Sequence, residues 1–274
     1  MALKPYATVE DRFWYYLSRF TCVLVLAFLV LPILVVAPIS FTSGNLLAFP
    51  LPGFSFRWYE SLVETSVWTT AAWNSLKIGL ASSALAMLLG TTAALGLARS
   101  SFALKPVVIG LILSPVLVPI VITAVGIYFA FAATGLSGTY LGLVLAHTVL
   151  AVPFVVITVM ASLESFDFTL VRAASALGAS PVTAFRRVTL PIVLPGIASG
   201  GLFAFATSFD EIVVTLFLAA PDQRTLPRQL FSGVREYVSP GIAAVATLLV
   251  ILSALLLIVV QLLGRRNRRL TGRS

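Results

Sequence analysis

The chain has 274 residues, 59% of them hydrophobic and only 10% charged, and its mean hydropathy is +1.04. Soluble domains run at about 45–50% apolar and about 25% charged residues, so this composition excludes a soluble globular protein and points to an integral membrane protein. The net charge of +8 does not indicate nucleic-acid binding, because five of the 18 basic residues (Arg265, Arg266, Arg268, Arg269 and Arg273) lie in the tail after the last apolar stretch, with no folded basic surface beside them.

A spanning helix needs roughly 20 mostly apolar residues. Stretches that qualify fall at about 20–41, 73–98, 106–134, 139–162, 191–219 and 241–263, which predicts an all-α integral membrane fold with six transmembrane helices. Helices are required because backbone polar groups in lipid must be satisfied within the segment, and the runs are too long for barrel strands. The expected organisation is a lead-in, first helix and outer loop over 1–72, a transmembrane core over 73–263 and a basic tail over 264–274.

In chain order, Phe13, Trp14, Tyr15 and Tyr16 form an interfacial belt before the first span. The apolar core of that span, about 22–39, exceeds the roughly 7–15 residues of a cleavable signal, and no Ala-x-Ala site follows. Pro32 and Pro38 are expected to kink or end it. Cys22, the single cysteine, permits neither an intramolecular disulfide nor a cysteine metal site and is expected to pack in the first helix. The outer loop, 42–72, is rich in aromatics (Phe54, Phe56, Trp58, Tyr59, Trp68 and, at its end, Trp73) and reads as another belt or as a contact for an extracytoplasmic partner. The second helix, from Asn74-Ser75-Leu76 to Arg99, is dense in small residues, which allow close helix approach. The third carries Pro106, Pro115 and Pro119, and Gly135–Gly138 reverses the chain. The fourth holds His147, the only histidine; an intramembrane histidine can relay protons, but no second titratable group shares this helix, so a hydrogen-bonded packing role is expected.

Basic residues orient the chain. With the N-terminus inside, Lys4, Arg12, Arg19, Arg99, Lys105, Arg172, Arg186, Arg187 and the five tail arginines make 13 inside, against five outside: Arg57, Lys77, Arg224, Arg228 and Arg235. Thirteen against five predicts both termini in the cytoplasm. The three arginines of the last outer loop run against the rule.

Between the fourth and fifth spans, residues 164–190 read as two short helices. Asp167 or Thr169 can cap the first. Leu170, Ala174 and Leu177 fall on one stripe with Ala173 beside it. Gly178 suits a left-handed C-terminal position. Ser180-Pro181 reads as N-cap and first helical residue, and Leu190-Pro191 as the start of the fifth span. The run Arg172-Ala173-Ala174, Gly178, Leu190-Pro191 resembles the loop signature of ABC importer permeases, Glu-Ala-Ala, three residues, Gly, nine residues, Ile-x-Leu-Pro. Val188 stands for Ile, and Arg172 stands where Glu is usual. The resemblance implies a type I importer fold with a cytoplasmic coupling helix, in which Arg172, Ala173, Ala174, Leu177, Gly178, Leu190 and Pro191 meet an ATP-hydrolysing subunit.

The fifth span contains Thr207-Ser208-Phe209-Asp210-Glu211-Ile212. A charge in a span costs about 2.5–3.5 kcal/mol on insertion scales, so Ser208, Asp210 and Glu211 are candidates for the translocation pathway or its gate. On a continuous helix the adjacent carboxylates would point about 100° apart. No nucleophile elbow or metal-ligand spacing accompanies them, so neither catalysis nor a metal is expected. Ser-Phe-Asp-Glu, together with Arg57-Trp58-Tyr59, Asn74-Ser75-Leu76 and Leu97-Ala98-Arg99, resembles the spermidine/putrescine permease group over roughly 54–263. That implies partners: a second, similar permease, two ATP-binding subunits and a soluble extracytoplasmic binding protein, in a bacterial inner membrane. The group also includes importers of aminoethylphosphonate, iron and opines. No Gly-x-x-x-x-Gly-Lys-(Ser/Thr) occurs, so any ATP hydrolysis belongs to another chain and no cofactor is expected. A secondary transporter would need coupling-ion sites and usually inverted repeats, and a membrane-embedded enzyme would have only His147 and the Asp210-Glu211 pair to work with. Neither requires the two-helix loop.

Overall fold

The computed structural model describes residues 8–164, 166–236 and 239–270. Lys4 and Arg273 lie outside the described residues, as do the side chains of the other tail arginines. The elements are helices throughout: α1 (Val9–Ile39), α2 (Arg57–Glu64), α3 (Ser66–Arg99), α4 (Lys105–Leu117), α5 (Ile120–Thr134), α6 (Tyr140–Glu164), α7 (Thr169–Ala176), α8 (Pro181–Ala184), α9 (Leu190–Phe209), α10 (Val213–Leu218), α11 (Leu226–Glu236) and α12 (Pro240–Leu270). Among the described residues four helices are long and apolar enough to cross a membrane: Val9–Ile39, Ser66–Arg99, Tyr140–Glu164 and Pro181–Phe209. The last span expected from the sequence lies in α12, whose described apolar portion is Pro240–Leu256.

Two expected spans are not continuous. The third divides into α4 and α5, bent by 107°. Pro119 offers no amide, and a residue before proline is pushed out of the helical region; Val118 accordingly sits at φ −81°, ψ 138°. The fifth begins earlier than expected and breaks later. Ser180 caps α8 by accepting from the Thr183 amide, with Pro181 in the first turn. A π turn, Phe185–Thr189, then feeds directly into α9, so Leu190-Pro191 lies within a helix instead of opening one. The turn widens there because Pro191 supplies no amide; Leu190 N–H reaches back to the Phe185 carbonyl, one residue beyond the usual α-helical acceptor.

The chain packs as two units, residues 1–62 with 233–251 and residues 63–232 with 252–274. In the first, Thr8 and Asp11 form a capping box that starts α1 inside the aromatic lead-in. The helix passes through Pro32 and stops one residue after Pro38. It has no buried residue, and Cys22 is exposed on it instead of packed; an exposed apolar surface is what a lipid-facing helix presents. The loop after α1 is pinned from within: Trp58 Nε1 donates to the Thr42 carbonyl at 3.0 Å, Arg57 Nη2 to the Gly44 carbonyl at 2.8 Å, and the Ser40 and Tyr59 hydroxyls are 2.6 Å apart. These aromatics do structural work in the loop itself.

In the second unit α3, α6 and α9 pack together around Ala86, Ala94, Ala151, Val155, Val159, Val193 and Ala204. Small residues permit this approach. A Cβ at Gly90 would come within 2.7 Å of Val155 Cβ, and one at Gly200 within 2.9 Å of Val155 Cα, with Thr158 Oγ1 closer still. A second cluster, Ile78, Ala124, Leu143, Ala146, Leu150, Val214 and Leu218, joins α5 and α10 to the same three-helix frame. At one end a polar clasp closes the unit. Asn74 Nδ2 donates to the Asp222 and Arg224 carbonyls at 2.8 and 3.1 Å, and its Oδ1 accepts from the Tyr140 hydroxyl at 2.9 Å. Gln223 Nε2 donates to the Gly138 carbonyl at 2.8 Å, and Leu226 N to Ser75 Oγ at 2.8 Å.

The close packing separates two adjacent glycines. At Gly201 the obstacle is the flexible Met87 side chain, whereas at Gly200 it includes backbone. Gly200→Ala is therefore expected to cost about 1–3 kcal/mol by overpacking and Gly201→Ala clearly less, which thermal unfolding of the purified variants in detergent will show; equal losses would contradict the packing described.

Candidate functional site

The candidate pathway residues sit at the break between α9 and α10. α9 ends at Phe209, Asp210 follows as its C-cap, and helix resumes at Val213. The two carboxylates are thus not successive residues of one helix, and they have different surroundings. Glu211 is half-buried and turns back on its own chain: Oε1 accepts the Val214 amide at 2.8 Å, satisfying a donor that the start of α10 leaves open. Asp210 is exposed, with its backbone amide bonded to the Ala206 carbonyl at 3.0 Å. Ser208 is buried at 3% exposure and faces inward.

Ser208 belongs to a polar chain that the sequence did not reveal. Its hydroxyl lies 2.9 Å from Ser82 Oγ on α3 and 2.8 Å from His147 Nδ1 on α6. His147 Nε2 lies 3.2 Å from Thr215 Oγ1 on α10, and Thr215 Oγ1 reaches the Glu211 carbonyl at 3.3 Å. Ser82, His147 and Thr215 are completely buried. One imidazole therefore holds both sides of the break, the end of α9 through Ser208 and α10 through Thr215. A neutral imidazole has one donor and one acceptor nitrogen. Because the Thr215 hydroxyl donates to the Glu211 carbonyl and Ser208 accepts from Ser82, Nε2 carries the hydrogen and donates to Thr215 while Nδ1 accepts from Ser208. The expected hydrogen-bonded packing role of His147 is realised, with partners 61 and 68 residues away in sequence.

The loop between α6 and α9 presents the other candidate surface. Ahead of α7, Asp167 Oδ1 accepts the Thr169 amide at 2.8 Å and Oδ2 the Thr169 hydroxyl, an Asx turn. The N-cap itself is Phe168, which makes no side-chain cap bond, so neither Asp167 nor Thr169 is the capping residue. These bonds, with a smaller contribution from the Arg172 cation, hold the Asp167 carboxyl below its ordinary pKa. At the other end Ala179 N–H reaches the Ala174 carbonyl and Gly178 N–H the Ser175 carbonyl, each at 3.0 Å. This is a Schellman C-cap, and Gly178 adopts φ +84° in it with open space around it. Phe168 and Val171 pack toward the core, whereas Leu170, Arg172, Ala173 and Leu177 are exposed, Leu177 at 90%. Ala174 is half-buried, so the stripe expected from spacing splits, with Leu170, Ala173 and Leu177 outward. Val182 at the start of α8 is exposed at 65%. Pro191 is exposed and Leu190 half-buried, a helical turn and more from this apolar patch. Among the described residues no group of three or more His, Cys, Asp or Glu could hold a metal ion.

The profile of the binding-protein-dependent transport system inner membrane component family matches residues 86–269, which takes in both candidate surfaces. The chain belongs to this family. It is thus a multi-pass inner-membrane component of a transport system, not an enzyme. The spermidine/putrescine transport system permease protein PotC of Haemophilus influenzae is 33% identical over 243 residues, covering 89% of this chain and 94% of that protein. The putrescine transport system permease protein PotI of Escherichia coli K12 is 34% identical over 229 residues, covering 81% of each. Among solved structures, a bacterial ABC transporter involved in the import of the acidic polysaccharide alginate superposes with a TM-score of 0.74 at 15% identity, over 94% of this chain and 99% of that one. At that identity the likeness concerns the fold, which is that of an ABC importer permease.

Replacing His147 by Phe would leave the Ser208 and Thr215 hydroxyls without their shared partner, and a buried unsatisfied group costs about 1–3 kcal/mol. His147→Phe should therefore lower the unfolding midpoint and the amount of folded protein, and His147→Gln, which can both donate and accept, should recover part of the loss. Thermal melts by fluorescence-detected size exclusion measure both; a midpoint unchanged by Phe would show that the chain of hydroxyls does not need the imidazole.

Proposed function

We propose that this chain forms half of the translocation pathway of an ATP-driven importer for a polyamine such as spermidine or putrescine. Its partners in this reading are a second permease subunit, two ATP-binding subunits and a soluble binding protein that delivers the cargo. Residues 73–263 form the permease core, and both termini face the cytoplasm. The substrate class follows the two permease relatives, and the observation that carries it to a site is the exposed Asp210 carboxylate at a helix break. A carboxylate and an ammonium 4 Å apart attract by about 4 kcal/mol at an effective dielectric near 20, so one such group in the route favours amines. Glu211 and Ser208 support the break from behind. Cytoplasmic coupling falls to α7: the apolar patch of Leu170, Ala173 and Leu177 is small enough to seat in a groove of the ATP-binding subunit, Arg172 lies beside it, and Gly178 sets the angle into α8, while the helix from Pro181 through Leu190 and Pro191 carries movement into α9.

Uptake of radiolabelled spermidine and putrescine by cells that express the complete transporter and lack their own polyamine importers tests this reading. Transport of either, dependent on the binding protein, supports it; uptake of aminoethylphosphonate, iron or an opine instead would keep the importer and remove the polyamine.

The two carboxylates should respond differently. Asp210→Asn is expected to reduce uptake by about tenfold or more, equivalent to at least 1.4 kcal/mol, at unchanged protein level. Glu211→Gln, which still accepts the Val214 amide, should be milder, and Glu211→Ala should lower the amount of folded protein as loss of a cap does. Normal uptake by Asp210→Asn would remove its role in the route. Gly178→Val forces a β-branched residue into the left-handed region, where it is a strong outlier, and should cut uptake severalfold while the protein still inserts; full uptake would show that α7 is only a connection.

A further inference from the structure

The segment after α10 holds two cations, Arg224 in the loop and Arg228 in the first turn of α11, for which the described residues supply no counter-charge. Arg224 Nη1 donates to Gln229 Oε1 at 3.3 Å, and Arg228 Nη1 to the Ala219 carbonyl at 3.0 Å. Both acceptors are neutral. The Nε atom of each arginine is buried with no partner, and among the described residues neither guanidinium makes an ion pair. Burial, followed by the Arg224 cation beside it, lowers the pKa of Arg228 from its ordinary value. An arginine in a protein does not shed its proton, so two like charges remain, partly dehydrated and close together.

The surroundings hold them in place. The Arg224 carbonyl is gripped by Asn74, and the next turn by Ser75 through the Leu226 amide. A cavity of about 260 Å³ opens beside them, lined by Ser66, Thr70, Asp222, Arg224 and Gln229 among others. Asp222 borders that cavity, and among the described residues the side-chain bond of Arg224 goes to Gln229 and not to Asp222. The positive-inside rule disfavours arginines on the outer side, where the basic count puts this loop. A cationic cargo would be repelled by them, so cargo binding does not explain them either. A partner that brings carboxylates does: arginine and carboxylate pair through hydrogen bonds in a fixed geometry, and both side chains are only partly buried, with Nη1 engaged and no hydrogen bond from Nη2 among the described residues.

We propose that Arg224 and Arg228 form a seat for carboxylate side chains on the soluble binding protein that delivers the substrate. This rests on the importer reading and on the outward placement of the loop. The seat is also mechanically connected to the pathway. Ala219, which accepts from Arg228, is the C-cap residue of α10, and Gln223 and Gly138 tie the same loop to the turn before α6. Force on the seat is delivered to α10, next to the break at Asp210 and Glu211.

The test uses the complete transporter in lipid nanodiscs, with ATP hydrolysis followed as substrate-loaded binding protein is titrated in. The Arg224→Gln, Arg228→Gln double variant should need about tenfold more binding protein for half-maximal stimulation, equivalent to about 1.4 kcal/mol, while reaching the same rate at saturation. Its half-saturation should also respond less to salt than that of the wild type. Arg228→Glu should be worse, and Arg228→Lys intermediate. An unchanged half-saturation in the double variant overturns the seat. So does a change in the saturating rate alone, or equal loss of folded protein in the Gln and Lys variants, since either makes the arginines structural. Binding of inorganic phosphate at this pair without any change in half-saturation overturns it in favour of a small anion. A wild-type complex that the binding protein does not stimulate at all overturns the importer reading and the seat with it, which separates the two failures.

Discussion

Inside hydrocarbon, a backbone amide or carbonyl that leaves its helix must find a partner in the protein, because no water is available to take its place. Every interruption of a span therefore has to be filled by side chains. Here the interruption at residues 210–212 is filled from both directions: Glu211 covers the Val214 amide, and the Ser82–Ser208–His147–Thr215 chain fastens both flanking helices to α3 and α6. That arrangement frees Asp210 to face outward as the one carboxylate of the pair not engaged by α10.

The three-helix frame makes this possible. Glycines at 90 and 200 bring α6 close to α3 and α9, and the resulting cores leave Ser82, His147 and Ser208 within hydrogen-bond reach. A broken helix supported by a rigid frame can present an irregular segment to a water-filled route without losing its register, since the bonds that fix it come from neighbours and not from its own continuity. At the other end of the unit, the Asn74 and Gln223 clasp ties the loop after α10 to the starts of α3 and α6. At the loop between α6 and α9, α7 shows apolar side chains on its outer face while Phe168 and Val171 anchor it inward. The chain thus has two outward-facing elements joined to its core helices through short, well-capped connections.

Local chemistry was legible in the sequence wherever neighbours a few residues apart decide it. Gly178 and Ser180-Pro181 take the conformations their spacing implies, because a C-cap and an N-cap are satisfied within one turn, whereas the N-cap of α7 falls on Phe168, one residue after Asp167. The family loop and the apolar periods likewise point to the right fold. Breaks were less legible. Pro119 marks a discontinuity, but its neighbours alone do not give the 107° bend that packing imposes. Pro191 looks like a helix start, yet a π turn carries the helix through it. The break after Phe209 has no proline or glycine, and nothing in Asp-Glu-Ile announces it; it exists because Glu211 and partners on α3 and α6 stabilise it. The His147 contacts cross more than 60 residues and follow no period, so only the fold could bring them together.

A translocation route at this break requires Asp210 to face water. The chain has a single native cysteine, Cys22, so in a Cys22→Ser background Asp210→Cys provides one reactive thiol at the break. Assembled in the complete transporter and treated with a charged, membrane-impermeant methanethiosulfonate, it should label readily, and saturating spermidine with the binding protein should slow the labelling. A thiol at 210 that such reagents never reach in any state of the transport cycle, while a lipid-soluble maleimide does, would place the residue against lipid and contradict a pathway at this break.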